Sequence, residues 1–484
     1  MKRKTTTIGL ILVTLSLLFT LNLSAQKKEE KQKKEENKYI PPPEKDVQQK
    51  LEWWQDCKFG ILFHWQPSSQ WGVVESWSIC PEDEGWCQRN LSDYNEYIRR
   101  YENLKYSFNP IHFNPDKWAK AASDCGMKYV VFTTKHHDGF CMFDTKTTDY
   151  KITDKECPFS KNPKANVIKE VFNAFRNNGL GIGAYFSKPD WHSKDYWWDY
   201  FPVVDRNPNY DLEKYPERWN RFKDFTFKQI EELTTGYGKV DILWLDGGWV
   251  RSKAEQTEES LSWLKRPALN QDINMPAIAA MARKNQPGLI VVDRSVHGKY
   301  ENYQTPEQQI PDKPLPYLWE TCMTMATSWS WVYNDHYKPT NKIIHLLVDI
   351  VSKGGNFLLN VGPDPSGQLD DTAYLRMKEI GEWIHVNGEA IYGSRTIEPY
   401  KEGKVCFTKG KNGEVYAIYL AEEGEKMPTE IKLDNYQPKA NATATVLGAD
   451  KASWKANGKG CIITLPANAI NKPPCKHAWV IKFN

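Results

Sequence analysis

The chain has 484 residues, enough for one large buried core and a small second domain. Lys+Arg 64 against Asp+Glu 61 gives +3, and Lys2, Arg3 and Lys4 account for all of it, leaving the remainder neutral (3 − 3 = 0). A neutral body has no bulk field for nucleic acid or an anionic membrane, whereas 20 tryptophans and 24 tyrosines suit either a core or a surface that stacks on sugars or bases.

Residues 1–25 read as a signal peptide: a Lys2-Arg3-Lys4 head, the apolar run "IGLILVTLSLLF", and a cleavage point after Ser24-Ala25. The product is expected to be exported, periplasmic or secreted, with no membrane insertion after cleavage. Residues 26–48, dense in mixed charge and then Pro41-Pro42-Pro43, read as a linker. Ten cysteines permit disulfides, and Cys80/Cys87 and Cys461/Cys475 are close enough in sequence to pair; buried free thiols are the alternative.

From 49 to 395, apolar runs ending in polar or aromatic residues alternate with helical stretches. The runs are "FGILFHW", "KYVVFTTKHHD", "LGIGAYFSKPD", "VDILWLDGG", "GLIVVDRS", "YLWETC" and "NFLLNVGPD". Continuous apolar runs suit strands covered on both faces. "NPDKWAKAASDCG" has a capping Asn114, Pro115 at its first position and Gly126 as stop, and "NVIKEVFNAFRNNG" stops at Gly179 in the same way. Strand–helix alternation predicts an α/β fold with a parallel sheet, read here as a (β/α)8-like TIM barrel whose eighth strand lies near 389–395. Residues 190–215 read as a long loop. After 396 the texture changes to short strands, with Asn412-Gly413 at a hairpin turn, and 396–484 reads as a small antiparallel β-sandwich.

In such a barrel, chemistry gathers at the C-terminal strand ends. These carry His64 and Trp65, then His136, His137 and Asp138, then Tyr185, Ser187 and Asp190. Trp244 and Asp246, Asp293 and Arg294, Glu320 and Asn360 follow. Adjacent histidines in a regular strand point to opposite faces, so His136-His137 is not expected to hold a metal. No G-x-S-x-G elbow is present. Paired carboxylates remain, as in glycosidases, with Arg294 and the histidines available for hydroxyls and Trp65, Trp77, Trp244 and Tyr185 for apolar sugar faces. Gly247-Gly248 is expected to let a ligand approach Asp246 closely.

At these residues the chain resembles the α-L-fucosidases of glycoside hydrolase family 29. "WWQDCKFGILFHW", "VVFTTKHHDGFCMFDTKTTDY", "AYFSKPDWH", "DILWLDGGW", "WETCMTMATSWSW" and "GGNFLLNVGPDPSGQL" occur in family order across about 50–395. The resemblance implies a barrel followed by a β-sandwich, and an exo-acting retaining enzyme that removes terminal α-L-fucose from a fucosylated oligosaccharide or glycoconjugate. Asp246 matches the nucleophile. His64, His136, His137, Tyr185 and Arg294 match hydroxyl-binding positions, and Trp77, Trp244 and Trp329 aromatic ones. The Glu-Trp pair of the family is here Glu75-Ser76-Trp77, and Trp77 is the residue carried over. Glu307, in "TPEQQ", is the expected acid/base, ahead of Glu320 and Glu301; that wording leans toward the α-1,3/1,4-linkage subgroup. No cofactor or metal is expected. The competing reading is a catalytically inactive glycan-binding protein on the same fold.

Overall fold

The computed structural model describes residues 39–82, 89–257, 260–261 and 269–484. The expected signal peptide, most of the linker and Cys87 lie outside them. Among the described residues no helix is long and apolar enough to cross a membrane. Cys461 and Cys475 carry free thiols, the second of the two alternatives the sequence left open.

Seven parallel strands form one sheet. They are β1 (Phe59–Phe63), β2 (Tyr129–Lys135), β3 (Gly181–Ser187), β4 (Ile242–Asp246), β5 (Ile290–Asp293), β6 (Glu320–Thr324) and β7 (Asn356–Val361). Their order is β5-β4-β3-β2-β1-β7-β6. Every residue in them is buried except Asp246, which is partly exposed, as strands covered on both faces require. Nine helices are assigned among the described residues: α1 (Lys45–Cys57), α2 (Tyr94–Glu102), α3 (Pro115–Asp124), α4 (Val167–Asn177), α5 (Pro216–Thr235), α6 (Met275–Asn285), α7 (Thr340–Ser352), α8 (Asp371–Asn387) and the short α9 (Ala467–Asn471). Local chemistry sets the predicted ends. Asn114 Oδ1 accepts from Lys117 N at 3.1 Å and Pro115 follows it.

The expected ring of eight strands is not formed. Residues 388–390 are a 3-10 turn, and Arg395 opens a strand of the C-terminal domain instead. The result is a parallel half-barrel. Its gap, between β5 and β6, is spanned by the segment 300–308. Asn302 N donates to Val291 O at 2.9 Å, Gln304 N to Leu318 O at 2.9 Å, and Gln308 N to Cys322 O at 3.0 Å. β6 also starts later than expected, which puts Glu320 at its buried entrance rather than its C-terminal end.

The C-terminal strands are β8 (Arg395–Glu402), β9 (Val405–Lys409), β10 (Val415–Leu420), β11 (Glu430–Leu433), β12 (Ala444–Val446), β13 (Lys451–Asn457), β14 (Gly460–Thr464) and β15 (Ala478–Phe483). Two stacked sheets were expected; the strands form one eight-stranded ladder, β11-β14-β13-β12-β15-β10-β9-β8. The ladder curls until its edges almost meet. Glu402, ending β8, accepts from Asn435 N just past β11 at 3.1 Å, and Tyr436 packs 5.0 Å from Phe407. The alternating burial expected of such strands has an apolar interior to face. This nearly closed barrel docks on α7 and α8: Trp383 Nε1 donates to Ala478 O at 2.9 Å, and Asn341 Nδ2 to Ala421 O at 2.7 Å.

Candidate active site

The C-terminal ends of the half-barrel strands enclose a cavity of about 710 Å3. Asp246, Glu307, His64, Trp77, His136, His137, Tyr185, Trp244, Arg294 and Trp329 all line it. The structure therefore brings all ten expected residues together.

Asp246 closes β4. Its Oδ2 accepts the Tyr185 hydroxyl at 2.6 Å, and its Oδ1 accepts Arg294 Nη1 at 3.1 Å and Gly247 N at 2.8 Å. Burial on its own would raise this carboxyl. The Arg294 guanidinium, then His137 and Tyr185, overcome that and hold it far below the usual carboxylate range. Asp246 is thus held in its carboxylate form. Gly247 has φ 87, and a Cβ there would meet the Pro189 ring at 2.2 Å. Gly247 serves the turn and the close approach of Pro189, whereas Gly248, the other member of the expected pair, lines the cavity.

His136 and His137 both face the cavity, with ring centroids 4.2 Å apart. The β2–β3 register slips between Thr133 and Lys135, and β2 ends at Lys135. Both histidines therefore lie past the strand, where alternation no longer applies. The expectation that they diverge is overturned. His137 Nδ1 meets Ser187 Oγ at 2.7 Å, and that hydroxyl donates to Pro189 O at 2.6 Å. Ser187 has one proton, so His137 must donate from Nδ1, leaving Nε2 a bare acceptor 3.9 Å from Asp246 Oδ2. His64 is fixed in the same way. Asn360 donates to Trp329 O at 2.6 Å, so its Oδ1 receives His64 Nδ1 at 2.7 Å. Burial pushes His64 and His137 each down to about 4, so both are neutral at pH 7. His136 pairs with Ser76 Oγ. Asp138 is spent on structure: it accepts from Phe140 N at 3.2 Å, Tyr101 Oη at 2.7 Å and Gln66 Nε2 at 3.1 Å.

The other carboxylates separate by place. Glu307, on the segment 300–308, is 43% exposed at the cavity mouth and pairs with Arg294 Nη2. One guanidinium thus holds Asp246 and Glu307 on its two arms. Glu320 is buried below the cavity, where it accepts from Tyr129 Oη at 2.5 Å and Trp244 Nε1 at 3.2 Å, and burial pushes it up to about 7. Glu301 braces the turn after β5 through Ser295 N at 2.7 Å and His297 Nδ1 at 2.8 Å. Neither lines the cavity.

Trp65 was expected to reach a sugar. It turns into the core instead, donates to Asp364 O at 2.9 Å and packs on Trp118 and Phe108. Glu75, which the sequence reading set aside in favour of Trp77, also lines the cavity, as do Trp249 and Arg206, which it did not single out. Glu75 sits at φ 29, clamped by Ser330 N at 2.8 Å, and burial raises its carboxyl to about 8. Trp249 packs against Trp77 and His137. Arg206 arrives from the long loop, with its guanidinium 4.9 Å from the Trp77 ring centroid and paired with Glu82. The motif "LDGGW" could have signalled Trp249; nothing local marks Arg206.

His136, His137 and Asp246 could in principle converge on a cation, since their donor atoms lie within 4.8 Å of one another. A cation there would have to displace or coexist with Arg294, already 3.1 Å from Asp246.

Comparison with known proteins gives the family. Residues 25–389 match the α-L-fucosidase family model, and 399–484 the α-L-fucosidase C-terminal domain. The chain belongs to the α-L-fucosidase family. It is accordingly a glycoside hydrolase. An α-L-fucosidase of Branchiostoma floridae is 28% identical, covering 92% of this chain and 96% of its own. α-L-Fucosidase isoenzyme 1 of Paenibacillus thiaminolyticus superposes with TM-score 0.71 at 28% identity, over 91% of this chain and 99% of its own. The Thermotoga maritima α-fucosidase in complex with fucose gives 0.68 at 26%, over 89% and 96%.

Proposed function

We propose that this α-L-fucosidase is an exo-acting retaining enzyme that removes terminal α-L-fucose from glycans through a covalent fucosyl-enzyme. The observation that carries the reading is the placement of ionised Asp246 and exposed Glu307 on the two arms of Arg294. Asp246 attacks the anomeric carbon as Glu307 delivers a proton to the departing oxygen; Glu307 then takes a proton from the water that releases fucose. As the leaving group enters, the Glu307–Arg294 contact opens and frees the carboxyl for the proton. The bare Nε2 atoms of His64 and His137 accept from sugar hydroxyls, His136 joins them, and Trp77, Trp244 and Trp329 cover the apolar face and the methyl group. Kinship with a Thermotoga maritima enzyme that holds fucose supports this assignment.

The Thr305-Pro306-Glu307-Gln308 wording supports α-1,3/1,4-linked substrates, and residues 1–25 support export. A panel of glycans with defined fucose linkages tests activity and linkage together, with product anomer followed by NMR. Initial release of α-L-fucose is expected; initial β-L-fucose would refute retention. Measurable fucose binding with no turnover would identify a binder.

A further inference from the structure

A separate cavity of about 330 Å3 lies at the other end of the sheet from Asp246, where β6 and β7 begin. Five stretches distant in sequence meet around it. They are Tyr39 at the start of the described chain, Gln55 in the last turn of α1, residues 314–319 before β6, Lys353-Gly354 before β7, and Arg395-Thr396 opening β8. The volume falls at the small end of ligand sites, roughly 300–1,000 Å3.

We propose that this cavity is a non-catalytic binding site for a small acidic sugar, one ring carrying a carboxylate or a sulfate ester.

Charge selects the anion. Lys353 and Arg395 are the charged groups of the wall, and no carboxylate is among its described lining residues. The carboxylates that pair with these cations stand outside the wall and are shared. Asp349 lies 3.2 Å from Lys353 Nζ and 3.2 Å from Lys401 Nζ. Asp56 lies 2.9 Å from Arg395 Nη1 and also pairs with Lys411, and Glu52 is divided between the same two cations. Four cations thus draw on three carboxylates, and one further acid completes the set. Lys58 Nζ is fully buried with no hydrogen-bond partner among the described residues, so the same Asp56 and Glu52 must offset it as well. The Lys353 side chain is only 8% exposed, and its ammonium has three protons and Asp349 as its one ion-pair partner among the described residues. It therefore keeps protons for an oxygen anion in the cavity.

Shape selects the ring. Tyr39, Tyr317 and Trp319 give the wall flat apolar faces, against which the C–H face of a pyranose packs. An inorganic ion would leave those faces uncovered, and a neutral sugar would leave the cations unbalanced. A ring bearing one negative group answers both. Such a ligand touches the linker end, the barrel and the first strand of the C-terminal domain together, so its binding ties the three.

Isothermal titration of the full chain, with the first cavity saturated by L-fucose, tests this with D-glucuronate, D-glucose 6-sulfate, D-glucose and inorganic sulfate. One of the acidic sugars should bind once per chain with Kd of about 1 mM or lower, at least about tenfold tighter than D-glucose or inorganic sulfate. The tighter of the two identifies the anionic group. Lys353→Met keeps the buried stem and deletes the charge; Tyr39→Ala removes a stacking face at the chain's edge. Each should weaken binding at least about tenfold with the far-UV circular dichroism unchanged, which shows that the variants are folded. The proposal is overturned if neither acidic sugar binds, if D-glucose or inorganic sulfate binds as tightly, if both variants keep wild-type affinity, or if L-fucose competes with the acidic sugar.

Discussion

Tyr185 donates its phenolic proton to Asp246 Oδ2 at 2.6 Å. Stacked on Trp244 and His136, the ring has nowhere to turn, so the bond is pre-formed before substrate arrives. Tyr185→Phe removes a hydrogen bond to a charged acceptor, of order ~1.5–3 kcal/mol. Steady-state kinetics on an aryl fucoside should show kcat/KM down by roughly 10- to 100-fold. An unchanged value would mean that the bond does not serve catalysis.

Asp246→Ala should abolish turnover, since nothing else in the cavity offers an ionised oxygen so placed. Added azide should restore it and give β-fucosyl azide, because a small anion attacks from the vacated face. A folded variant that azide does not rescue would count against Asp246 as nucleophile.

Glu307→Ala should cost roughly 100-fold or more on natural glycans and far less on aryl fucosides, whose leaving groups need little protonation. Glu320→Ala should instead lower stability by roughly 1–3 kcal/mol, because it strands the buried Tyr129 hydroxyl and Trp244 indole N–H. If Glu320→Ala displays the leaving-group dependence, the acid has been misassigned.

Stability should depend on pH through His64. Its folded value of about 4 lies below the ordinary 6.5, so the unfolded chain binds a proton that the native site refuses. The stability this contributes is present above about 6.5 and is lost as pH falls toward 4, by up to about 3 kcal/mol. Glu75, raised to about 8, acts with the opposite sign, its contribution fading as pH rises from about 4.5 to 8. Comparing Tm at pH 7 and pH 4.5 for wild type and His64→Gln isolates the histidine. The variant should lose less on acidification; an equal loss removes His64 from the linkage.

Exhaustive dialysis against a chelator should leave kcat/KM unchanged, because Arg294 already supplies the positive charge beside Asp246. Loss of activity restored by a divalent ion would make His136, His137 and Asp246 a metal centre.

Legibility followed the range of the interactions. Helix ends were readable because Asn114 and Pro115 act within one turn. Asp246 and the histidines were readable because they close or follow apolar runs whose burial leaves polar groups only at the ends. Trp65 was misplaced because the chain, once past Phe63, sends alternate side chains to opposite sides, His64 to the cavity and Trp65 to the core. Arg206 was invisible: its partner Glu82 is 124 residues away, and the loop carrying it has no period to read.

Composition, periodicity and motif order were sufficient to identify a parallel α/β body, a β-rich C-terminal domain and the ten residues that line one cavity, since hydrophobic burial and capping act locally. Three features depended on the folded chain: the slip at Thr133–Lys135 that turns both histidines inward, the segment 300–308 that spans the half-barrel, and the guanidinium that joins Asp246 to Glu307. Each arises where distant segments compete for the same backbone partners or the same charge. That competition is resolved only when the whole sheet has assembled.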